Sequence, residues 1–292
     1  MTRFSVEHLT RYHYGQSVGL NYSEARLLPR NTPGQRVLES RLELEPTADD
    51  YQERLDPWGN RVVWFMSRRP HPCLSVVAHS LLERSPIALP KTSPAWEEVA
   101  ASLIAPRGEA IAAREFSMDS PMLPPHPEAT DYVRTSFPPG RPLLEAVADL
   151  TTRIKTEFVY RPNATHIDTP LAEVLQERHG VCQDFSHLAL AGLRGLGLAA
   201  RYVSGYLETT PPPGQPRQVG ADATHAWISI WLPFHGWYDF DPTNGVAAGE
   251  SHLTLAWGRD FSDVTPLKGV LHGGGRHTLE VGVTVTRIEA TP

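Results

Sequence analysis

The chain is poor in cysteine, with only Cys73 and Cys182 among 292 residues. Two are too few for a disulfide framework. No apolar run reaches the length of a transmembrane helix, and no block of five or more basic residues occurs. The N-terminal stretch from Met1 to His8 has no apolar leader and reads as folded protein. A net charge of -6 leaves no general basic face for nucleic acid or an anionic membrane. Together these absences predict a reduced, soluble, cytoplasmic protein with neither nucleic acid nor membrane as partner. Apolar residues, by contrast, are plentiful: at 40% of the chain they suffice to bury one full core or two.

Three textures follow one another. Residues 1–85 read as β-rich: Val6, His8, Thr10, Tyr12 and Tyr14 alternate, as do residues 37–44. Asp56-Pro57-Trp58-Gly59-Asn60 has turn chemistry, and the apolar runs 62–66 and 74–82 follow it. This pattern predicts an N-terminal antiparallel β domain. Residues 86–142 are punctuated by proline and predict a surface-packed connector with short helices near 96–104 and 128–136. Residues 143–292 form the third unit. Helical spacing covers 143–158, and Thr169-Pro170 reads as N-cap and first helical residue of a second helix ending near Gly180. A third helix starts at Cys182, its apolar face carrying Phe185, Leu188, Ala189, Gly192, Leu193 and Leu196. Its small residues predict close approach of neighbouring elements. Strands are expected at 200–207, 225–232, 237–241 and 278–286, giving an α+β order. Gly273-Gly274-Gly275 reads as a hairpin turn, possible edging for a site and no phosphate loop.

The chemistry concentrates on Cys182, His225 and Asp241. A free thiol ionises near pH 8.5. Placement at a helix N-terminus and a neighbouring histidine both favour the thiolate. The backbone N–H of Cys182 would face outward to meet an oxyanion. His225 opens a strand whose alternate residues Trp227, Ser229 and Trp231 share its face, and the chain then returns toward Asp241. A loop at 232–235 would set residue 225 opposite 242, with Asp241 adjacent to orient the imidazole. Asp239 is the competing carboxylate, and Asp241 before Pro242 could equally serve as a turn former. A metal reading through His179, Cys182 and His187 lacks the ligand spacing of a zinc site. His187 itself reads as a surface or supporting residue, and Cys73 as a small buried hydrophobe.

The residues from Phe158 to Asn244 resemble the bacterial transglutaminase-like superfamily. The resemblance lies in Phe158-Val159-Tyr160, Thr169-Pro170-Leu171, Gly180-Val181-Cys182-Gln183-Asp184-Phe185, residues 200–206, His225-Ala226-Trp227, Gly236-Trp237 and Phe240-Asp241-Pro242-Thr243-Asn244. Residues 1–85 are similar to the β-region that precedes this core in bacterial members. The resemblance implies a papain-like α+β core with Cys182 as nucleophile, His225 as base and Asp241 as orienting carboxylate, acting on a peptide, protein or other amide without cofactor or metal. It also suggests that Tyr160 donates to an oxyanion and that Asp184 holds the nucleophile's loop. Gln183 stands where transglutaminases proper carry an aromatic residue, which favours hydrolysis (peptidase or amidase) over transfer to an amine. Two alternatives stay open: an amine-accepting transglutaminase or ligase, and a catalytically silent module that binds a peptide or partner. The loop 209–217 is a further candidate cleft wall.

Overall fold

A computed structural model describes residues 1–85, 87–162, 164–209 and 223–288. The strands and helices in chain order are β1 (Thr2–Ala25), β2 (Gln35–Glu45), β3 (Asp50–Leu55), β4 (Arg61–Ser67), β5 (His71–Arg84), α1 (Trp96–Ser102), α2 (Ala110–Arg114), α3 (Pro127–Arg134) and α4 (Leu143–Glu157). There follow β6 (Val159–Tyr160), α5 (Leu171–Glu177), β7 (His179–Gly180), α6 (Cys182–Gly195), β8 (Ala200–Leu207), β9 (Ala223–Leu232), β10 (Gly236–Asp241), β11 (Val246–Ala247), β12 (His252–Gly258), β13 (Leu267–Gly273) and β14 (His277–Ile288).

The first sheet is built around β1. Along one side, β5 pairs with its first half and β4 with its second. Along the other side, β14 and β13 do the same. The β3–β4 hairpin turns through Asp56–Asn60, where the Asp56 carboxylate accepts the backbone N–H groups of Trp58 and Asn60, as the turn residues predict. The glycine triplet behaves differently from expectation. Because β13 and β14 run on in one direction along β1, Gly273–Gly275 is a kink in one interrupted strand, not a hairpin turn. All three glycines have positive φ, a backbone that only glycine adopts without strain. The last strands therefore return to the first sheet, although the sequence division grouped residues 267–288 with the unit starting at 143.

The second sheet has the order β11-β10-β9-β8-β12. One face is covered by helices. Alternate residues of β9, namely Ala226, Ile228, Ile230 and Leu232, enter that helix-side core together with Phe185, Leu188 and Leu193 of α6. The connector contributes to it too: Val99, Leu103, Phe116, Tyr132, Val133 and Phe137 are all buried there. The small residues of α6 do what their size predicts. A Cβ on Gly192 would lie 2.6 Å from the Ala129 carbonyl of α3. On the opposite face, Tyr206, Leu253 and Leu255 join the first sheet's core with Phe4, Leu27 and Val285. The molecule is thus layered as helices, second sheet, first sheet. Among the described residues, no helix is long and apolar enough to cross a membrane.

Candidate active site

Cys182 is the first residue of α6. The helix start is fixed from behind by the Asp184 carboxylate, whose Oδ2 accepts the Val181 N–H at 2.8 Å and the Thr165 hydroxyl at 2.7 Å. Gly180 permits this approach, because a Cβ there would sit 2.7 Å from the same oxygen. Burial pushes the Asp184 carboxyl up, against the opposing pull of these two hydrogen bonds. Gln183 turns aside and donates to the Ile167 carbonyl at 3.1 Å. Thr169 is not the N-cap of α5: Pro170 holds that position, and the Thr169 hydroxyl accepts the His166 N–H within the loop instead. Tyr160, half-exposed on β6, pairs with Gly180 of β7. Its phenol is raised by burial first and by Cys182 second, and its pairing with Gly180 sets it beside the Cys182 end of α6.

His225 is buried on β9, where its Nε2 meets Asp241 Oδ2 at 2.8 Å. Cys182 acts on the imidazole from close by, in the same direction as Asp241. Burial alone would lower the imidazole. The hydrogen bond and charge of Asp241, with Cys182 acting in the same direction, overcome it and push the group up to about 10. For Asp241 burial would raise the carboxyl, but the donors from His225 and His252 hold it well below the usual carboxylate range.

The β9–β10 register corrects the expected one by a residue. Leu232 pairs with Gly236 and Ile228 with Phe240, so the loop is Pro233–His235, with Phe234 left-handed at φ 64°. The difference matters, since directly opposed residues share a face and a one-residue slip exchanges the faces. With 225 opposite 242, Asp241 would point away from the histidine. In the observed register residues 225 and 241 lie on the same face. Asp239 shares that face but stands near the guanidinium groups of Arg84 and Arg201. Asp241 also forms the turn. Its Oδ1 accepts the backbone N–H groups of Thr243 and Asn244, while its Oδ2 takes His225 and the Asn244 side-chain amide.

A second histidine on that carboxylate has no counterpart in the sequence reading. His252 Nε2 lies 3.0 Å from Asp241 Oδ2. His225, Asp241 and His252 have the composition of a metal-binding trio and lie close enough together, yet their atoms are committed to one another. Gly249 N–H donates to His252 Nδ1, so Nε2 carries the hydrogen that it gives to Asp241. Of the other histidines considered, His179 Nδ1 contacts the Glu177 carbonyl. His187 is buried, not on the surface, and its Nε2 accepts the Phe261 N–H. Burial lowers it to about 4. Of the candidate cleft wall 209–217, residues 210–217 lie outside the described residues.

Residues 4–83 match the bacterial transglutaminase-like N-terminal region, and residues 132–242 match the transglutaminase-like superfamily core. The chain belongs to the transglutaminase-like superfamily. It is 41% identical to the uncharacterized protein Rv2569c of Mycobacterium tuberculosis, over 98% of this chain and 93% of the relative. It is 32% identical to the uncharacterized protein ML0607 of Mycobacterium leprae, over 99% and 100% respectively. Among solved structures it is similar to one from Cytophaga hutchinsonii that bears a provisional cysteine-protease name. That likeness has a TM-score of 0.77 at 19% identity and covers 99% of this chain and 92% of the other, which establishes a shared fold.

Proposed function

We propose that the protein is a cysteine-dependent enzyme of acyl transfer at an amide, with hydrolysis as its reaction. The observation that carries this reading is the His225–Asp241 pair: Asp241 meets the imidazole Nε2 at 2.8 Å, Cys182 starts α6, and both Asp241 and Cys182 favour the protonated imidazole. A histidine that binds its proton as tightly as this one is suited to take the thiol's proton as the sulfur attacks. The Cys182 sulfur attacks the carbonyl carbon of a peptide or other amide, and the carbonyl electron pair moves to oxygen. Backbone N–H groups at the start of α6, which have no partner within the helix, are the donors for that oxyanion, with Tyr160 as a further donor. As the C–N bond breaks, His225 gives its proton to the departing amine. Water then loses a proton to His225 and attacks the thioester, and the acid leaves as Cys182 regains its starting state. Asp241 keeps the imidazole oriented throughout. None of these steps calls for a cofactor.

Hydrolysis is preferred to transfer because Gln183, tied to the Ile167 carbonyl, offers no aromatic surface beside the nucleophile. A peptide library incubated with and without a primary amine tests this. Free acid should appear in both arms and vanish in Cys182→Ala. Amine-linked product as the main species would overturn hydrolysis in favour of transfer. No turnover of any amide, together with wild-type alkylation kinetics in His225→Ala, would overturn the enzymatic reading.

A further inference from the structure

The mechanism above uses Cys182, His225 and Asp241 and leaves one buried group unemployed. His252 begins β12, an edge strand on the far side of β8 from β9, beyond residues 132–242 of the superfamily match. We infer that His252 is a positioning residue for the nucleophile's base: by donating from Nε2 to Asp241 Oδ2, it locks the carboxylate in the rotamer that meets His225. This inference rests on the proposed roles of Cys182 and His225.

Asp241 is a short side chain with one free torsion to its carboxylate plane, and its Oδ1 is already held by the Thr243 and Asn244 N–H groups. Those two bonds fix one oxygen but leave the plane free to tilt about it. Two donors on Oδ2, from Asn244 Nδ2 at 2.6 Å and His252 Nε2 at 3.0 Å, remove that freedom. His252 is itself fixed from two sides. Gly249 N–H donates to its Nδ1 at 3.2 Å, which assigns the hydrogen to Nε2, and the Trp227 ring packs edge-on against it at 5.3 Å. His252 is 5% exposed; its ring lies 6.2 Å from that of His225 between centroids, and the hydrogen bond it makes within the site goes to Asp241. An amide or hydroxyl in its place would need the same reach and the same buried acceptor bond.

Two isosteric variants separate its two hydrogen bonds. In His252→Gln the side-chain amide reaches the former Nε2 position and can donate to Asp241. In His252→Asn the amide occupies the Nδ1 region, answers Gly249 and falls short of Asp241. The probe is iodoacetamide alkylation of Cys182 in the full-length chain, followed by mass spectrometry, with His225→Ala as reference. The expected result is a near wild-type rate for Gln and a loss of roughly tenfold for Asn, the scale of one hydrogen bond to a charged group. Nitrogen NMR of labelled histidine should in parallel show the His225 Nε2 proton broadened by exchange in Asn and retained in Gln. Wild-type alkylation and an unbroadened His225 signal in folded His252→Asn would overturn the inference, provided that His225→Ala is slowed. If His225→Ala alkylates like wild type, the proposed function falls as well, so the two failures are distinguishable. Should Asn fail to fold, a slowing of roughly tenfold in folded Gln would overturn the inference, since Gln preserves the contact that carries it.

Discussion

At the scale of single residues, Asp241 does two jobs on two oxygens. Oδ1 closes the turn after β10, and Oδ2 faces the histidines. The residue thus closes the turn and faces the histidines at once. Replacing His225 by Ala should slow acylation by roughly 10²–10⁴-fold, the range of a positioned acid–base group, measured as amide turnover or thiol alkylation. The pair's pH dependence follows from its two shifts. Asp241 is depressed below 3.8, so its contribution to stability is complete above that value and is lost as pH falls through its lowered one. His225 is raised from 6.5 to about 10, so its contribution is complete below 6.5 and is lost as pH climbs through about 10. The stability gap between wild type and Asp241→Asn, read as urea midpoints, should thus be widest between pH 4 and 6.5 and shrink toward pH 10. A gap of constant size across that range would contradict the pairing.

At the scale of elements, α6 is the piece that positions Cys182, the proposed nucleophile. Its first turn is held by Asp184, which satisfies the Val181 N–H and the Thr165 hydroxyl. Asp184→Ala leaves both donors without their acceptor. It should cost about 1–3 kcal/mol by denaturant titration and slow alkylation of Cys182, while Asp184→Asn, which keeps one acceptor oxygen, should cost less. Further along, Gly192→Ala would set a methyl against Ala129 and Val133 of α3. Overpacking of this kind costs about 1–3 kcal/mol, measurable as a lower midpoint without loss of the Cys182–His225 coupling. The helix and its small face were legible from the 3.6 spacing in the sequence. The hairpin register was not, because a three-residue loop with left-handed Phe234 carries no glycine at its tip to announce it. That single residue of register decides which face Asp241 takes.

At the scale of the whole molecule, the first sheet and the second share one buried layer, and the contact is specific as well as apolar. The outer edge of β12 is answered by two amide side chains from the N-terminal region. Gln35 donates to the Thr254 carbonyl and accepts the Thr254 N–H. Asn60 does the same for the Trp257 carbonyl and N–H. Between them they satisfy an edge that would otherwise be open. Arg30 stacks on Trp257 from the same side. Deleting residues 267–292 removes buried Val283 and Val285 from beside β1, and expressing 86–266 alone exposes Tyr206, Leu253 and Leu255. Both pieces should be unfolded or aggregated by circular dichroism and size-exclusion chromatography, where the full chain is folded. A soluble, cooperatively melting 86–266 fragment would show that the second sheet and its helices stand alone.

Local pattern by itself determined the position of Cys182 at a helix start, the alternation of β9 and the pairing of a β-rich region with an α+β core. Each of these is written in residues a few positions apart, where spacing and turn chemistry act directly. Only the tertiary structure decided the rest. The return of β13 and β14 to the first sheet joins residues more than 240 positions apart. The burial of the proline-rich segment depends on which helices it meets. His252 reaches Asp241 only because β12 is seated at the edge of the second sheet, and nothing in the neighbourhood of residue 252 in the sequence specifies that seat. Such contacts depend on how layers are stacked, and stacking is settled by the summed burial of distant faces, which no local period records.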